Sequence, residues 1–351
     1  MRHSADNLTH REIRCPRRGV TLVEMVVVVF IFTILAAIAV PQVRLAIEDR
    51  RVREATRALT VALGSARNQA MATGRPAGVI LRRFTEGQSP NACTEIEQTE
   101  GLAPYAGDTI ASRARISYTG YDGTARRHQF TVAFTDPIQA SAASHGDRIQ
   151  FNNQGPWYHV YGTPTTGQLT CSLTNTDVAA GLMWPWPDAP DQSVPVPYLI
   201  KRRPRSTAND PILGSANPPI QLPDRAAVDL SSSGVGPTGV EFHSSTAGNV
   251  PVVIMFSPDG SLEYITTGSG GASGRPTQPV YFLVGELERV PSPDNPAGLA
   301  DDGKLNIQRF GSFWVSVHPR TGLTTTVELA AEGDVQQSRQ FAFEGQSMGG
   351  G

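Results

Sequence analysis

Glu24 has the sharpest chemistry in this sequence, because it is the single charge in the apolar run from Val20 to Val40. A carboxylate in a membrane-spanning helix costs roughly 2.5–3.5 kcal/mol at the centre and less toward an end, so it calls for a partner or a function. A second candidate is the basic cluster of Lys201, Arg202, Arg203 and Arg205, which could hold phosphates with salt-dependent, sequence-independent affinity. Its plainer reading, and the favoured one, is a solvated strand end facing Glu or Asp elsewhere in the chain. Nucleophilic and metal chemistry find little support. His128, His145, His159, His243 and His318 are scattered singly, and no Gly-x-Ser-x-Gly elbow marks a serine. Gly268-Ser269-Gly270-Gly271 opens no helix and so is no phosphate loop, and Pro258-Asp259-Gly260 lacks the series of carboxylates that calcium needs. The reading is of a chain with no catalytic residues, no metal site and no cofactor.

The segment that carries Glu24 reads as a transmembrane helix. Residues 20–40 contain one charge and two threonines, and as a helix they span about 30 Å, enough for a hydrocarbon core. Upstream, Arg2, Arg11, Arg14, Arg17 and Arg18 outweigh Asp6 and Glu12, so residues 1–19 form a basic leader of formal charge +3 (5 − 2). By the positive-inside rule the N-terminus stays cytoplasmic, the chain crosses the inner membrane once, and everything after Val40 is exported. The same features also fit an ordinary secretory signal cut after Ala37-Ile38-Ala39. Against that alternative, a cleaved signal has no use for Glu24, and the helical pattern continues past the cut.

Beyond Pro41, which should kink the helix, Val52, Ala55, Leu59, Ala62, Leu63, Ala66 and Ala70 recur at three- and four-residue steps. This is one apolar face of an amphipathic continuation over 41–73, which Gly74-Arg75-Pro76 ends. If continuous, residues 20–73 make a rod of about 80 Å. From Ala77 the pattern turns to short strands with turn signals, so the fold class is α+β: a long helix packed on an antiparallel β-sheet head over 77–331. Strands are expected at Ala77–Arg83, Arg115–Thr119, Gln129–Phe134, Arg148–Phe151, Tyr158–Tyr161, Gln168–Leu173 and Tyr198–Arg202. Later ones are expected at Ala227–Leu230, Val252–Phe256, Leu262–Thr266, Val280–Leu287, Phe313–His318 and Thr324–Glu328. The turns Ser257–Gly260 and His318–Gly322 join strand pairs. Residues 84–114 and 184–224 read as large loop insertions, 268–278 and 291–303 as loops, and 332–351 as a flexible tail. A net charge of −2 argues against general attraction to nucleic acid.

The string Gly19-Val20-Thr21-Leu22-Val23-Glu24, between a basic leader and an apolar run, resembles the processing site of type IV pilins and type II secretion pseudopilins. The resemblance implies cutting after Gly19 by a prepilin peptidase and methylation of the new N-terminus at Val20, a position where the family more often has Phe or Met. It also implies assembly with other pilins through the N-terminal helix, in which Glu24 is retained and Pro41 is the kinking proline. The stretch Ala66–Ala70, the Gly74-Arg75-Pro76 stop and the two hairpin turns are similar to H-type minor pseudopilins (the GspH/FimT group), a pilin-like fold with a head usually much smaller than this one. Some members of that group bind DNA, which makes DNA a possible partner of the basic cluster, though not the favoured one. With this topology Cys15 is lost with the leader, whereas Cys93 and Cys171 face an oxidising compartment as a candidate disulfide. Closing that loop of about 78 residues would contribute roughly 4 kcal/mol.

Overall fold

The computed structural model describes residues 21–84, 89–124, 126–136, 142–144, 146–165, 167–179, 181, 194–202, 204–206, 218–247, 250–267, 272–292, 296, 298–300, 302–330 and 334–348. Within these, the side chains of 38–46, 162–164, 176, 205–206, 246–247, 267, 272–273 and 346–348 are left aside. The chain divides into two units, Met1–Ile47 and Glu48–Gly351.

Helix α1 runs from Leu22 to Thr73 without interruption and passes through Pro41. In its second part the predicted face is fully used: Val52, Ala55, Leu59, Ala62, Leu63, Ala66 and Ala70 are all buried. On its outer flank Arg50 pairs with Glu54 one turn on, at 2.9 Å. The helix stops at Gly74, whose φ of +65° suits glycine. The Gly74 N–H still donates to the Ala70 carbonyl at 3.1 Å, closing the last turn.

Among the described residues seventeen strands follow. They are β1 (Ala77–Arg83), β2 (Ala92–Glu100), β3 (Ala114–Asp122), β4 (Arg127–Phe134), β5 (Arg148–Phe151), β6 (Tyr158–Thr165), β7 (Gln168–Thr174), β8 (Tyr198–Lys201) and β9 (Arg205–Ser206). Then come β10 (Ile220–Gln221), β11 (Ala226–Val235), β12 (Val252–Phe256), β13 (Leu262–Thr267), β14 (Ala272–Gly274), β15 (Val280–Glu286), β16 (Phe313–Val317) and β17 (Thr324–Glu328). Short helices α2 (Asn175–Ala179) and α3 (Ser244–Ala247) interrupt them, and α4 (Val335–Met348) closes the described chain.

The strands make two antiparallel sheets. The larger has the order β14-β13-β12-β1-β2-β11-β15-β16-β17, with β9 and β10 also on β2. Alternate residues of its strands, including Val79 and Leu81, Ile254 and Phe256, and Val280, Phe282 and Val284, form one core with the buried face of α1. The helix–sheet contact is pinned by Thr60 against Thr326 at 3.2 Å and by Arg67 donating to the Thr321 carbonyl at 2.8 Å. At its start Arg309 reaches Asp49 at 3.4 Å and Glu48 at 3.8 Å, and also pairs with Glu286. Gly322, at φ +62°, sits so close to the Gly260 carbonyl that the two predicted turns pack directly on each other.

The smaller sheet has the order β3-β4-β7-β6-β5-β8 and its own core of Ile116, Phe130, Val132, Ile149, Val160, Leu169 and neighbours. Its six strands are consecutive in the chain, from Ala114 to Lys201, so they are a folded insertion. The two ends of that insertion lie side by side: β9 pairs with the end of β2 through Thr99↔Ser206 and Glu100↔Arg205.

Four expectations need correcting. The stretch 84–114 is not simply an insertion, because it contains β2, which lies between β1 and β11 in the large sheet. Its Thr, Gln and three Glu hide the strand, and Glu97 is buried there because Arg82 on β1 pairs with it. Within 184–224, residues 184–193, 203 and 207–217 lie outside the described residues; β8 is the strand expected near Tyr198, while β9 and β10 are strands that were not expected. Within 268–278, Ala272–Gly274 is likewise a strand.

The fourth correction concerns the C-terminal stretch, where α4 forms in place of a flexible tail. Asp334 caps it, with Oδ1 accepting the N–H of Gln336 at 2.8 Å and of Gln337 at 3.2 Å. Arg339 is fully buried; its guanidinium donates to the carbonyls of Ser232 and Gly236 at 2.7 Å and of Gly239 at 2.9 Å. It lies 5.2 Å from the Trp314 ring and 5.4 Å from the Tyr281 ring. Burial lowers its pKa to about 10, so it stays charged at neutral pH. Arg339→Ala would strand three buried carbonyls and should cost about 3 kcal/mol, read as a lower denaturation midpoint. Gln340→Ala, on the exposed side of the same turn, should change stability by less than about 0.5 kcal/mol.

Candidate functional site

The N-terminal end of α1 is built by one cap. Thr21 stands just before the helix, its Oγ1 accepting the Glu24 N–H at 3.2 Å, while its carbonyl accepts the Met25 N–H at 3.1 Å. Thr21-x-x-Glu24 is therefore a capping sequence, which places an acid in the first turn where the positive end of the helix dipole favours it. The spacing was visible in the sequence and adds a local role for Glu24 to the one expected.

From Leu22 to Leu35 the large side chains are exposed on every side of the helix; Leu22 is 80% exposed, Phe30 65% and Phe32 72%. Thr33 does not break this surface, because its hydroxyl donates to the Val29 carbonyl at 2.8 Å. Glu24 is thus a carboxylate at the start of an otherwise apolar, uncovered cylinder. Among the described residues no helix is long and apolar enough to cross a membrane. The described side chains of this run end at Ala37, sixteen residues from Leu22, and a span takes about 20.

Covering such a surface is strongly favourable, since each large apolar side chain gains roughly 1.5–3 kcal/mol on full burial. Any environment that covers it also surrounds Glu24, and an unpaired buried carboxylate is costly. The segment therefore selects a cover that is apolar and brings one cation or hydrogen-bond donor.

The other predicted site residues do not join this one. Gly19 and Val20 lie outside the described residues, and Pro41 lies within α1 with its side chain outside those described. Cys93 and Cys171 are not bonded: both are free and fully buried, Cys93 in the core under α1 and Cys171 in the core of the small sheet. Two separate cores keep the thiols apart, and burial pushes the Cys93 thiol up to about 12 and the Cys171 thiol well above its ordinary value.

Two residues of the basic cluster are engaged within the head. Lys201 pairs with Glu263 at 3.2 Å, and Arg202 donates to the Ala103 carbonyl at 2.9 Å. Of the two, Lys201 meets an acid, as the favoured sequence reading expects, whereas Arg202 meets a backbone carbonyl. Arg203 and the side chain of Arg205 lie outside those described. Among the described residues, no group of three or more His, Cys, Asp or Glu is placed to hold a metal ion.

Residues 14–40 match the family model of the prokaryotic N-terminal methylation motif. The match includes Gly19, Val20, Glu24 and the whole apolar run, and it supports a type IV pilin-like protein with processing by a prepilin peptidase. It also supports inner-membrane anchoring in general and assembly with other pilins. No curated protein and no solved structure matches the chain.

Free buried thiols make a direct prediction. The processed protein, purified without reductant, should have the intact mass of two free cysteines, and reductant should leave its melting temperature unchanged within about 1 °C. A mass 2 Da lower, with a melting temperature that falls on reduction, would restore the disulfide.

Proposed function

We propose that this chain is a non-enzymatic structural subunit, an H-type minor pseudopilin, of a type II secretion or type IV pilus filament. It is made as a precursor, held in the inner membrane by its apolar helix, cut after Gly19 and then assembled through that helix. The observation that carries this reading is the exposed apolar cylinder of Leu22–Leu35 with one acid in its first turn, inside the matched motif.

Cutting after Gly19 creates an α-amine on Val20, with a reference pKa near 8 and therefore mostly charged at neutral pH. N-methylation keeps that charge. Inside an apolar filament core, a lone carboxylate and a lone ammonium are both costly, and each is the other's remedy. Glu24 of one subunit paired with the Val20 amine of a neighbour removes both costs and sets the axial register. Lipid offers no such cation at that depth, so the pair favours the filament over the membrane.

The two engaged cations Lys201 and Arg202 leave the basic cluster a poor phosphate site.

Glu24→Ala should leave membrane insertion and processing intact and reduce co-purification with the major subunit at least tenfold. Glu24→Asp, which keeps the charge and the first-turn acid, should retain more of it. Normal co-purification of Glu24→Ala would refute the pairing.

A further inference from the structure

The large sheet ends at β17, which pairs with β16 alone among the described residues. That pairing is regular from Phe313↔Glu328 to Val317↔Thr324, with no bulge. Beyond one end the His318 N–H donates to the Leu323 carbonyl, and beyond the other the Leu329 N–H donates to the Ser312 carbonyl, both at 2.9 Å. Hydrogen-bonded positions alternate along an antiparallel ladder, so Thr325 and Val327 also face β16. Thr324, Thr326 and Glu328 therefore turn their N–H and C=O groups to the open side, where Thr326 and Glu328 are exposed. Free edges are ordinarily blunted by Pro, Lys, a bulge or a very short strand. Apart from the charge of Glu328 at its last position, the run Thr324-Thr325-Thr326-Val327-Glu328 has no such device.

The two flanks of this edge differ in chemistry. On one side Thr326 Oγ1 lies 3.2 Å from Thr60 Oγ1 of α1. Arg53 and Arg57 come seven and three residues before Thr60 and Gly64 four after it, so all four share one stripe of the helix. Arg53 and Arg57 are exposed, and neither has a hydrogen-bond or ion-pair partner among the described residues. Like charges four residues apart weaken a helix, so this pair does nothing for α1 by itself. A Cβ at Gly64 would meet nothing within 4 Å, so the stripe is open there as well. On the other side Val327 lies 3.8 Å from where a Cβ on Gly345 of α4 would stand, and Phe341, one turn earlier, is 42% exposed.

Such an edge takes an extended segment as a further strand, whose main chain supplies the missing partners and whose alternate side chains face the two flanks. Beside α1 they meet Arg53 and Arg57, which carboxylates match. Beside α4 they meet Val327 and Phe341, which apolar residues match. We propose that the β17 edge binds an extended segment that alternates acidic and apolar residues and belongs to a different subunit of the assembly. A second copy pairing through its own β17 does not fit. A two-fold axis would set the arginine stripes against each other and run the two α1 helices in opposite directions, which chains anchored in one membrane cannot adopt. Only the source of the segment rests on the filament reading; the edge and its flanks stand without it.

Fluorescence anisotropy with the full chain in detergent and two labelled, end-blocked peptides is the test. Ser-Val-Glu-Val-Glu-Val-Ser should bind at least about tenfold tighter than Ser-Val-Gln-Val-Gln-Val-Ser, and Arg53→Gln with Arg57→Gln should remove that advantage. Thr326→Pro deletes an outward N–H and no bond to β16, and should abolish binding of the acidic peptide. Thr326→Ala, which keeps that N–H, and Arg115→Gln, on the small sheet, should bind it as the wild type does. Should Thr326→Pro lose its native circular dichroism, Glu328→Pro supplies the same comparison. In the wild-type chain, saturating acidic peptide should slow amide exchange at Thr326 and Glu328 at least about tenfold and leave Thr325 and Val327 unchanged. Equal binding of the two peptides, wild-type binding by a folded proline variant, an unchanged exchange rate at Thr326, or no binding at millimolar peptide would overturn the proposal. None of these results bears on the Glu24 pairing, and normal co-purification of Glu24→Ala would leave the edge untouched.

Discussion

The contact on which the head depends is the close approach of the second part of α1 to the large sheet. Ala55, Ala62, Ala66 and Ala70 present little more than backbone, so the sheet packs near the helix axis, with Leu59 and Leu63 filling between its strands. Burying each leucine contributes roughly 1.5–3 kcal/mol. Seven strands of the large sheet lend alternate residues to this one core, which decides which face of the sheet is closed. The opposite face is then free to carry Ile80, Val253 and Tyr264 toward the small sheet, and Tyr281 and Trp314 toward α4. Without the helix the large sheet would expose an apolar surface that no other described element covers.

The same helix changes character along its length. Past Glu48 most of its apolar residues share one face and this chain buries them, Val61 and Met71 excepted; from Leu22 to Leu35 they surround the axis and this chain leaves them exposed. A helix apolar all round calls for an apolar surrounding. In the proposed assembly a filament core would offer one, and it would differ from lipid in bringing a charged N-terminus within reach of Glu24. The Thr21 cap supports the same end of the helix by fixing the first turn, so the acid is held near the terminus and not left on a frayed segment.

Much of this was legible because one-sided burial writes a period into the residues. The face of α1 from Val52 to Ala70 is buried as its three- and four-residue spacing requires, and β1, β12 and β17 have the bounds expected from their apolar runs and turns. Strand β2 was hidden because its polar residues are paired in place, Glu97 with Arg82 above all. The helical tail was hidden by flanking glycines, although Val335, Ser338, Arg339 and Ala342 follow a helical spacing; a buried Arg among them argued against a core face. The division of the head into two cores was not legible at all, since strands of either sheet show the same alternation and only pairing separates them. That division is also what leaves Cys93 and Cys171 unbonded. At the site, Glu24 stood out by its solvation cost.

The central claim is that the apolar helix begins at a free amine placed to pair with Glu24. It is tested most directly by the N-terminal mass of the mature protein isolated from membranes. The expected result is a chain that starts at Val20, with the added methyl. A chain that starts at Val40, after the Ala37-Ile38-Ala39 site, would contradict it, as would one that keeps the leader from Met1.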